Sequence, residues 1–564
     1  MIIMNNSETE PSAGRRAANV VFWAVALFIL FWALGERSLW GSEGRWAEVT
    51  REMFLTKDFF HPRINGEPYF DKPLLGYWFI ALVSGLTGNL NEWSVRAPSA
   101  VSGLLGLWAT VYLGRKLWSD RVGRTAGWIL LTTYGILFWA RLGEADMANL
   151  AAITLAVAWY WSRRDSENFF AYLVFYLICF IGAHTKGLTA VVVPFVAVFP
   201  DLVRERRWRS HLNPANFLAL ILGGVIYLAP FAYAAITREG YQSSGLALVL
   251  QENIQRFFSP LDHVEPFYIY LYCLPELFLP WTPLLLAAFL GVFFSWKHLD
   301  RNTRWLAETV ILIFLFFTAS GSRRGYYILP ILPFCALLTS WFLMAEGKER
   351  LKRIAIGIQI TVFALVALAG VLSPAIWPVV QGRVGFVPPR DLMVAAPTLG
   401  LLALVVLALW RIRPGLWVNL TGTNQRTAGL VGVGAVLVGG FFCWQHVSLD
   451  AYRTEEPFAR ELKNHLTGMT PNDIGFYRKV GANILFYLDL PKPVRVLPDP
   501  GSVQKFLAFN MGIKVLVSQR RYIDDLVPVL PKQIRERPSL SEKSYPWGKT
   551  SQKHVAWKTG AEKG

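Results

Sequence analysis

The sequence predicts an all-α polytopic membrane protein with a small α/β domain at its carboxyl end. Apolar residues make up 53% of the 564, the mean hydropathy is +0.35, and charged residues are 17%, below about a quarter in soluble domains. Apolar runs long enough to cross a bilayer, about 17–25 residues, recur up to residue 444, after which the chain becomes polar. We therefore divide it into a membrane domain, residues 1–444, and a soluble domain, residues 445–564.

About thirteen apolar stretches are interpreted as spans, the first of them as an uncleaved span and not a signal peptide. The run 73–88 is assigned to the membrane surface, because counting it as a span would reverse the orientation of everything after it. The predicted spans lie near residues 18–35, 97–114, 125–140, 147–162, 168–185, 187–203, 215–236, 267–295, 305–320, 326–345, 354–375, 393–410 and 427–444.

The distribution of charge predicts the orientation. With 73–88 at the surface, the basic clusters between spans all fall on one side, whereas the loop 35–96 carries seven Lys or Arg against eight Asp or Glu. The positive-inside rule makes the basic side cytoplasmic and places the first loop and the carboxyl-terminal domain outside. The clusters that fall together are Arg115–Arg124, Arg163–Arg164, Arg204–Arg209, Lys297–Arg304, Lys348–Arg353 and Arg411–Arg426. Basic residues scattered in this way exclude nucleic acid as a partner.

The first loop, residues 35–96, holds sixteen ionisable side chains beside eleven aromatic ones. A connector between spans needs only a few residues, so this one is interpreted as a functional cap on the membrane surface. Segment Glu43–Lys57 predicts a helix with one apolar stripe, which either lies in the membrane interface or is a solvated amphipathic connector. The stripe is Trp46, Val49, Met53 and Phe54, and the polar face is Arg45, Glu48, Arg51 and Glu52.

Glu43 directly follows the first span and is the candidate catalytic residue. It could act as a general base toward an acceptor hydroxyl or position an acceptor group; the alternative is a carboxylate that only interacts with the dipole of its helix. In Asp71-Lys72-Pro73 the proline restricts Lys72 to an extended conformation, where its ammonium could meet a phosphate oxygen or simply pair with Asp71. Arg45 is a further candidate for substrate binding.

The other outer loops carry ionisable residues near hydrocarbon, where charge is costly and usually functional. Adjacent arginines on the outer side run against the positive-inside bias and indicate an anionic partner, since guanidinium groups bind phosphate in a bidentate manner. The neighbouring tyrosines offer hydroxyl groups and ring faces to a sugar. The substrate-binding candidates in these loops are Arg141, Glu144, Asp146, Lys186, Arg323, Arg324, Tyr326 and Tyr327.

No cofactor is required by any motif, and a divalent metal is left open. His263, with Asp71 or Glu265, is the candidate for a metal site, although a lone histidine is more often structural. The four cysteines have no metal-type spacing and are interpreted as packing residues.

Four segments resemble the aminoarabinose transferases and, more broadly, the protein O-mannosyltransferase superfamily of GT-C glycosyltransferases. They are Trp46–Met53, Tyr69–Trp78, Thr185–Gly187 and Tyr326–Pro330. The resemblance covers roughly residues 18–345. It implies a GT-C fold of thirteen spans with a periplasmic carboxyl-terminal domain, in a bacterial inner membrane. It also implies a sugar donor carried on undecaprenyl phosphate and, in the aminoarabinose transferases, a lipid A phosphate as acceptor, which gives resistance to cationic antimicrobial peptides.

The chain departs from that family in its first loop. The family typically has an adjacent Asp-Glu pair there, the Asp being the presumed catalytic residue. Alignment without gaps places Ser42-Glu43 at this pair, so the Asp is missing; alignment on Trp40 with one deletion places Glu43 at the Asp. We prefer the second alignment, which keeps a carboxylate next to the first span. Asp71 also stands where the family usually has Glu.

The sequence thus predicts a membrane glycosyltransferase that uses a polyprenyl-phosphate sugar and a lipid or protein acceptor. Lys72 and the arginines would stabilise the departing phosphate, and Glu43 would orient or deprotonate the acceptor, so that Glu43→Gln and Lys72→Ala abolish transfer in a folded protein. The alternatives are an O-glycosyltransferase of the same fold acting on protein or glycolipid, and a transporter of lipid-linked sugar. A transporter would show internal repeats, which the sequence lacks.

Overall fold

The computed structural model describes residues 12–238, 241, 264–384, 390–444, 453–508, 512–530, 538–543 and 550–559. Helices dominate the first 444 residues, and every stretch that the sequence predicts as a span is helical there. The helices are α1 (Ser12–Phe31), α2 (Glu43–Thr56), α3 (Leu75–Thr87), α4 (Glu92–Leu117), α5 (Asp120–Leu131), α6 (Tyr134–Ala140), α7 (Asp146–Ser162), α8 (Phe169–Lys186), α9 (Thr189–Arg204), α10 (Pro214–Thr237), α11 (Ile269–Leu277), α12 (Thr282–Ser295), α13 (Arg301–Ala319), α14 (Leu332–Met344), α15 (Glu349–Val384), α16 (Arg390–Ile412), α17 (Pro414–Thr421), α18 (Gln425–Gly434) and α19 (Gly440–Cys443).

Several predicted spans are broken helices. Among the described residues, eight helices are long and apolar enough to cross a membrane, or nine if the pair at α11 and α12, bent by 119°, forms one span. Two residues separate α5 from α6, and a 3₁₀ turn, Gly325–Ile331, precedes α14. The helical membrane domain is confirmed, and the count of thirteen stays a prediction.

The run that the sequence assigns to the surface is α3, a helix of 13 residues. At 1.5 Å per residue it is about 20 Å long, shorter than the roughly 30 Å hydrocarbon core. With α2 and the two-stranded hairpin β1 (Arg63–Ile64) and β2 (Glu67–Pro68) it makes up the first loop. The loop is therefore a folded cap and not a simple connector.

Helix α2 forms where the sequence predicts it, but its environment is more buried than either interpretation expects. Trp46, Val49 and Met53 are buried, whereas Phe54 is 40% exposed. On the predicted polar face, Glu48 and Glu52 are buried as well. The helix is covered on that face by the carboxyl-terminal domain, which a pattern of polarity along α2 alone does not reveal.

The carboxyl-terminal domain is a small α/β unit, as predicted. Its five-stranded sheet has the order β4-β3-β5-β7-β6, with β3 parallel to β4 and β5, and with β7 antiparallel to β5 and β6. The predicted boundary at residue 445 lies outside the described residues. The elements are α20 (Glu456–His465), β3 (Ile474–Tyr477), α21 (Ala482–Leu488), β4 (Arg495–Leu497), α22 (Pro500–Ala508), β5 (Lys514–Gln519), α23 (Ile523–Leu526), β6 (Leu540–Ser541) and β7 (His554–Thr559).

Helix α21 fastens this domain to the first loop. The Asn483 side-chain amide donates to the carbonyl of Gly41 at 3.2 Å. The Tyr487 hydroxyl accepts from the Leu39 N–H at 2.7 Å and donates to Glu92 at 2.9 Å. The first loop and the carboxyl-terminal domain therefore lie on the same side of the helical bundle.

Arginines from different basic clusters pair with shared carboxylates. Asp201 in α9 accepts from Arg164 at 2.7 Å and from Arg301 at 3.2 Å, and Glu349 pairs with Arg426. These contacts join clusters that the charge pattern assigns to a common side. Which side of a membrane they face stays a prediction.

Candidate functional site

Glu43 begins α2 and is completely buried, where it holds four segments together. Its Oε1 accepts from Arg96 Nε at 2.7 Å and from the Gly143 N–H at 2.8 Å. Its Oε2 accepts from Arg96 Nη2 at 2.9 Å, and from Arg37 Nη2 and the Trp40 N–H, both at 3.2 Å. Arg96 is equally buried and also donates to three carbonyl groups at the end of the first span. We call Glu43 and Arg96 the anchoring pair.

The anchoring pair favours the structural alternative for Glu43. Burial alone would raise the pKa of this carboxyl, but the charges of Arg96 and Arg37 lower it below its usual value. A carboxylate with five donors and a depressed pKa is a poor proton acceptor. In this structure Glu43 positions the loop that contains Gly143, and both of its carboxylate oxygens accept hydrogen bonds from the protein.

A second group of side chains, which we call the first-loop cluster, contains Arg45, Tyr69, Asp71 and Lys72. Arg45 Nη1 donates to the Tyr69 hydroxyl at 3.0 Å and lies 3.4 Å from Asp71 Oδ2, and Tyr69 donates to the same oxygen at 3.1 Å. Lys72 Nζ lies 3.5 Å from Asp71 Oδ2. Burial would raise the pKa of Asp71, but Lys72 and Arg45 lower it. The cluster thus carries two cations against one carboxylate and is half-exposed, which suits an anion.

A third group, which we call the central cluster, lies beside the α2 N-terminus. The Ser42 hydroxyl donates to Glu144 Oε1, and Lys186 at the end of α8 pairs with Asp146 at the start of α7. Lys186 Nζ lies 5.1 Å and 5.0 Å from the ring centres of Tyr326 and Tyr327. The candidates from three separate loops therefore lie close together in the structure. Arg324 joins them by donating to the Tyr326 hydroxyl at 3.0 Å.

The backbone explains why Glu144 lies where it does. Gly143 approaches α4 so closely that a Cβ atom there would lie 2.5 Å from Val95 Cγ1. The Ser99 hydroxyl donates to the Glu144 carbonyl at 2.7 Å, and Glu43 holds the Gly143 N–H from the other side. Glu144 is consequently fixed at the wall of a narrow cleft that Trp46 and Thr185 also line.

Ser42 and Arg45 join the two clusters. Ser42 is the N-cap residue of α2 and Arg45 follows three positions later, so their side chains are neighbours on one face of the first turn. One contacts Glu144 and the other contacts Tyr69 and Asp71. The site is therefore built around the first turn of α2, with cations toward the first loop and carboxylates toward α7.

Two predicted phosphate ligands have backbone partners instead. Arg141 is 7% exposed and donates to the carbonyls of Ile29 and Trp32, at 2.6 and 2.7 Å, near the end of α1. Arg323 donates from Nε to the Glu265 carbonyl at 2.9 Å and from Nη1 to the Thr318 and Ser320 carbonyls. Both guanidinium groups hold chain ends in place, because carbonyls released at helix ends need donors.

Three contributors to the site escaped the sequence reasoning. In the sequence, Ser42 stands where the family has a carboxylate, Tyr69 belongs to one of the resembling segments, and Arg96 ends the first loop, and none of these features alone predicts a site residue. Arg96 had one detectable signal, namely an arginine within the first turns of an apolar span, which calls for a buried partner.

The metal candidates remain untested. Among the described residues, no group of three His, Cys, Asp or Glu side chains could hold a metal ion. His263 lies outside the described residues, and Asp71 is surrounded by Arg45 and Lys72.

The chain is similar to known proteins in both sequence and structure. The family described as dolichyl-phosphate-mannose-protein mannosyltransferase matches residues 71–233. An undecaprenyl phosphate-alpha-4-amino-4-deoxy-L-arabinose arabinosyl transferase from Aeromonas hydrophila is 34% identical over 344 residues, which are 58% of this chain and 61% of that relative. The match thus spans less than two thirds of that relative. A protein of the same name from Pseudomonas aeruginosa (strain LESB58) is 28% identical over 425 residues, 72% of this chain and 73% of that relative.

Solved structures show the same fold. The crystal structure of ArnT from Cupriavidus metallidurans bound to undecaprenyl phosphate superimposes with a TM-score of 0.73 at 21% identity, covering 96% of this chain and 98% of that one. The apo state of the same protein gives 0.69 at 23% identity, covering 96% and 97%. The comparisons confirm the resemblance seen in the sequence, and the structural match shows the fold of a multi-span membrane protein.

Proposed function

We propose that this chain, which has the GT-C fold and resembles the aminoarabinose transferases, is a glycosyltransferase of the bacterial inner membrane. It transfers a sugar from undecaprenyl phosphate to an acceptor on the periplasmic side. The observation that carries the proposal is the first turn of α2, where Ser42 and Arg45 join a cationic cluster to a cluster of carboxylates and tyrosines. A phosphate-linked sugar donor and an acceptor need two such neighbouring environments.

The first-loop cluster would bind the phosphate of the donor. Arg45 and Lys72 place two cations within one half-exposed group, and Tyr69 adds a hydroxyl. As the bond to the sugar breaks, negative charge grows on the phosphate, and these groups would stabilise it. Donors aimed at developing charge in such sites are each worth on the order of 10²–10³ in rate.

The central cluster would hold the sugar and the acceptor. The rings of Tyr326 and Tyr327, which flank the Lys186 ammonium, offer apolar faces of the kind that sugars stack on. Asp146 and Glu144 can accept hydrogen bonds from sugar hydroxyl or amino groups. The name of the relatives makes 4-amino-4-deoxy-L-arabinose the proposed sugar. Lipid A is the proposed acceptor, and a protein or glycolipid hydroxyl is the alternative.

The orientation belongs to the same proposal. The first loop and the carboxyl-terminal domain lie together, and the arginine clusters joined by Asp201 include Arg164, which follows the opposite end of α7 from Asp146. Positive charge is retained on the cytoplasmic side of membranes, so the site would face the periplasm. Transfer in that compartment requires no nucleotide sugar, and we propose that it requires no metal cofactor.

Mass spectrometry of lipid A and glycolipids tests the proposal. Cells with and without the gene are compared, and the deleted strain is complemented with the wild-type chain or with Lys72→Gln. We expect a pentosamine or hexose modification that disappears on deletion and returns only with the wild-type chain. Identical lipids and glycolipids in all strains would refute the proposed function.

A further inference from the structure

Two carboxylates beside the α2 N-terminus have opposite environments. Glu43 has five donors and no exposure. Glu144, in contrast, lines the cleft, and among the described residues Ser42 is the one that donates to its carboxylate, at Oε1. No side chain or backbone N–H of the described residues donates a hydrogen bond to the Oε2 atom of Glu144. When the environments of two nearby carboxyl groups shift their pKa values in opposite directions, the two groups usually have different roles in proton transfer.

We propose that Glu144 is the general base of the transfer and that the reacting group of the acceptor, on lipid A or on the alternative protein or glycolipid, is a hydroxyl; this inference rests on the proposed function. In the step, the acceptor O–H bond breaks and its proton passes to Glu144 Oε2. The acceptor oxygen bonds to the anomeric carbon, and the bond from that carbon to the phosphate oxygen breaks. The electron pair of that bond leaves with the polyprenyl phosphate.

The charge distribution supports a hydroxyl acceptor over an ionised phosphate. The first-loop cluster has two cations and one carboxylate. In the central cluster the carboxylates of Glu144 and Asp146 balance two cations, Lys186, which is paired with Asp146, and Arg324, which donates to the Tyr326 hydroxyl. An ionised phosphate acceptor would meet the charge of Glu144 and would carry no proton to remove. A hydroxyl would gain from a nearby base, because general base catalysis contributes roughly 10²–10⁴ in rate.

The protonation behaviour of Glu144 agrees with this role. Burial raises the pKa of Glu144 to about 7, the charges of Asp146 and Glu43 add to the rise, and the Ser42 hydrogen bond and Lys186 oppose it. Tyr326, Tyr327 and Arg324 are further titratable or charged groups of this cluster among the described residues. A base with a pKa near the working pH is well matched to proton transfer.

The test uses membranes containing the full chain and undecaprenyl-phosphate-linked, radiolabelled aminoarabinose, with label transfer to endogenous acceptors measured between pH 5 and 9. We expect the wild-type rate to rise with pH, with a midpoint near 7, because the ionised base is the active form. Glu144→Gln should lose about 10²-fold or more and show no inflection. Glu144→Asp should recover part of the rate. The labelled product should survive mild acid, which cleaves sugars linked through phosphate but not ordinary glycosides.

Two controls sharpen the test. Ser42→Ala removes a hydrogen bond to the charged form of Glu144, so its midpoint should move to higher pH. Glu67→Gln alters an exposed carboxylate of the hairpin and should leave rate and profile unchanged. Wild-type transfer with an unaltered Glu144→Gln profile, or an acid-labile product, would overturn the inference alone. A wild-type chain that transfers no label would remove the proposed function, and this inference with it.

Discussion

The backbone N–H of Gly143 donates to the Oε1 atom of Glu43 at 2.8 Å. Glu43 is the first residue of α2, and it therefore fixes the residue that directly precedes Glu144. The contact spans 100 positions of sequence and connects the loop after α6 with the cap. Through this contact Glu43 helps to position the carboxylate of Glu144.

Glu43→Gln should destabilise the protein as well as reduce transfer. The substitution removes the charge that pairs with the buried Arg96 guanidinium group, and breaking a buried pair costs roughly 3–5 kcal/mol. Thermal unfolding of the detergent-solubilised chain should begin at a clearly lower temperature, unlike that of Glu67→Gln. An inactive Glu43→Gln with wild-type unfolding would restore the catalytic role that the sequence suggested.

Lys72→Gln should reduce transfer by about 10²-fold, because one of two cations in the first-loop cluster is lost. The matched variant is Lys57→Gln, which removes an exposed ammonium at the end of α2. Initial rates with a labelled undecaprenyl-phosphate sugar measure the difference. Equal rates for the two variants would place the donor phosphate elsewhere.

Gly44→Ala should separate the carboxyl-terminal domain from α2. A Cβ atom at Gly44 would lie 1.9 Å from Asn483 Oδ1 and 2.7 Å from Asn483 Cα, so backbone must move. We expect limited trypsin digestion to release the domain faster than in the wild type, with reduced transfer. Gly85→Ala is the control: it lies in α3 with no atom within 4 Å of the added Cβ, and a wild-type digestion rate for both variants would contradict the prediction.

Treatment with a chelator should leave the transfer rate unchanged. Asp71, one of the two described metal candidates, already has Arg45 and Lys72 beside it, and their charges oppose binding of a divalent cation. The rate is measured after dialysis against EDTA and again after adding back Mg²⁺, Mn²⁺ or Zn²⁺. Loss on dialysis with recovery by one of these ions would establish a metal requirement.

The helical architecture could be predicted because length and hydropathy alone determine which segments can cross a bilayer. The breaks within these segments could not be predicted, since Thr132 and Thr133 between α5 and α6 are residues that helix interiors tolerate. The burial of Glu48 was missed for a different reason. Its cover is supplied by residues more than 400 positions away, around Leu490, and a helical pattern contains no information about such a partner.

The candidate site shows the same division. Lys72, Lys186 and Tyr326 stood out because charges or aromatic rings lie at span ends, and the structure brings Lys186 and Tyr326 together. Arg141 and Arg323 stood out for the same reason, yet carbonyl groups of nearby chain ends occupy them. Sequence can show that an arginine needs a partner, but only coordinates show whether a substrate or the backbone is that partner.

Helix α21 contacts the start of α2, so the carboxyl-terminal domain supports the turn that carries Ser42 and Glu43. A gene fragment ending at residue 444 would be expected to reach the bilayer and adopt the correct topology in a reporter-fusion assay. It would nevertheless lack the Asn483 and Tyr487 contacts that hold Gly41 and Leu39. Such a fragment would insert correctly but would not transfer sugar, so a reporter-fusion assay of insertion alone would not detect the loss of activity.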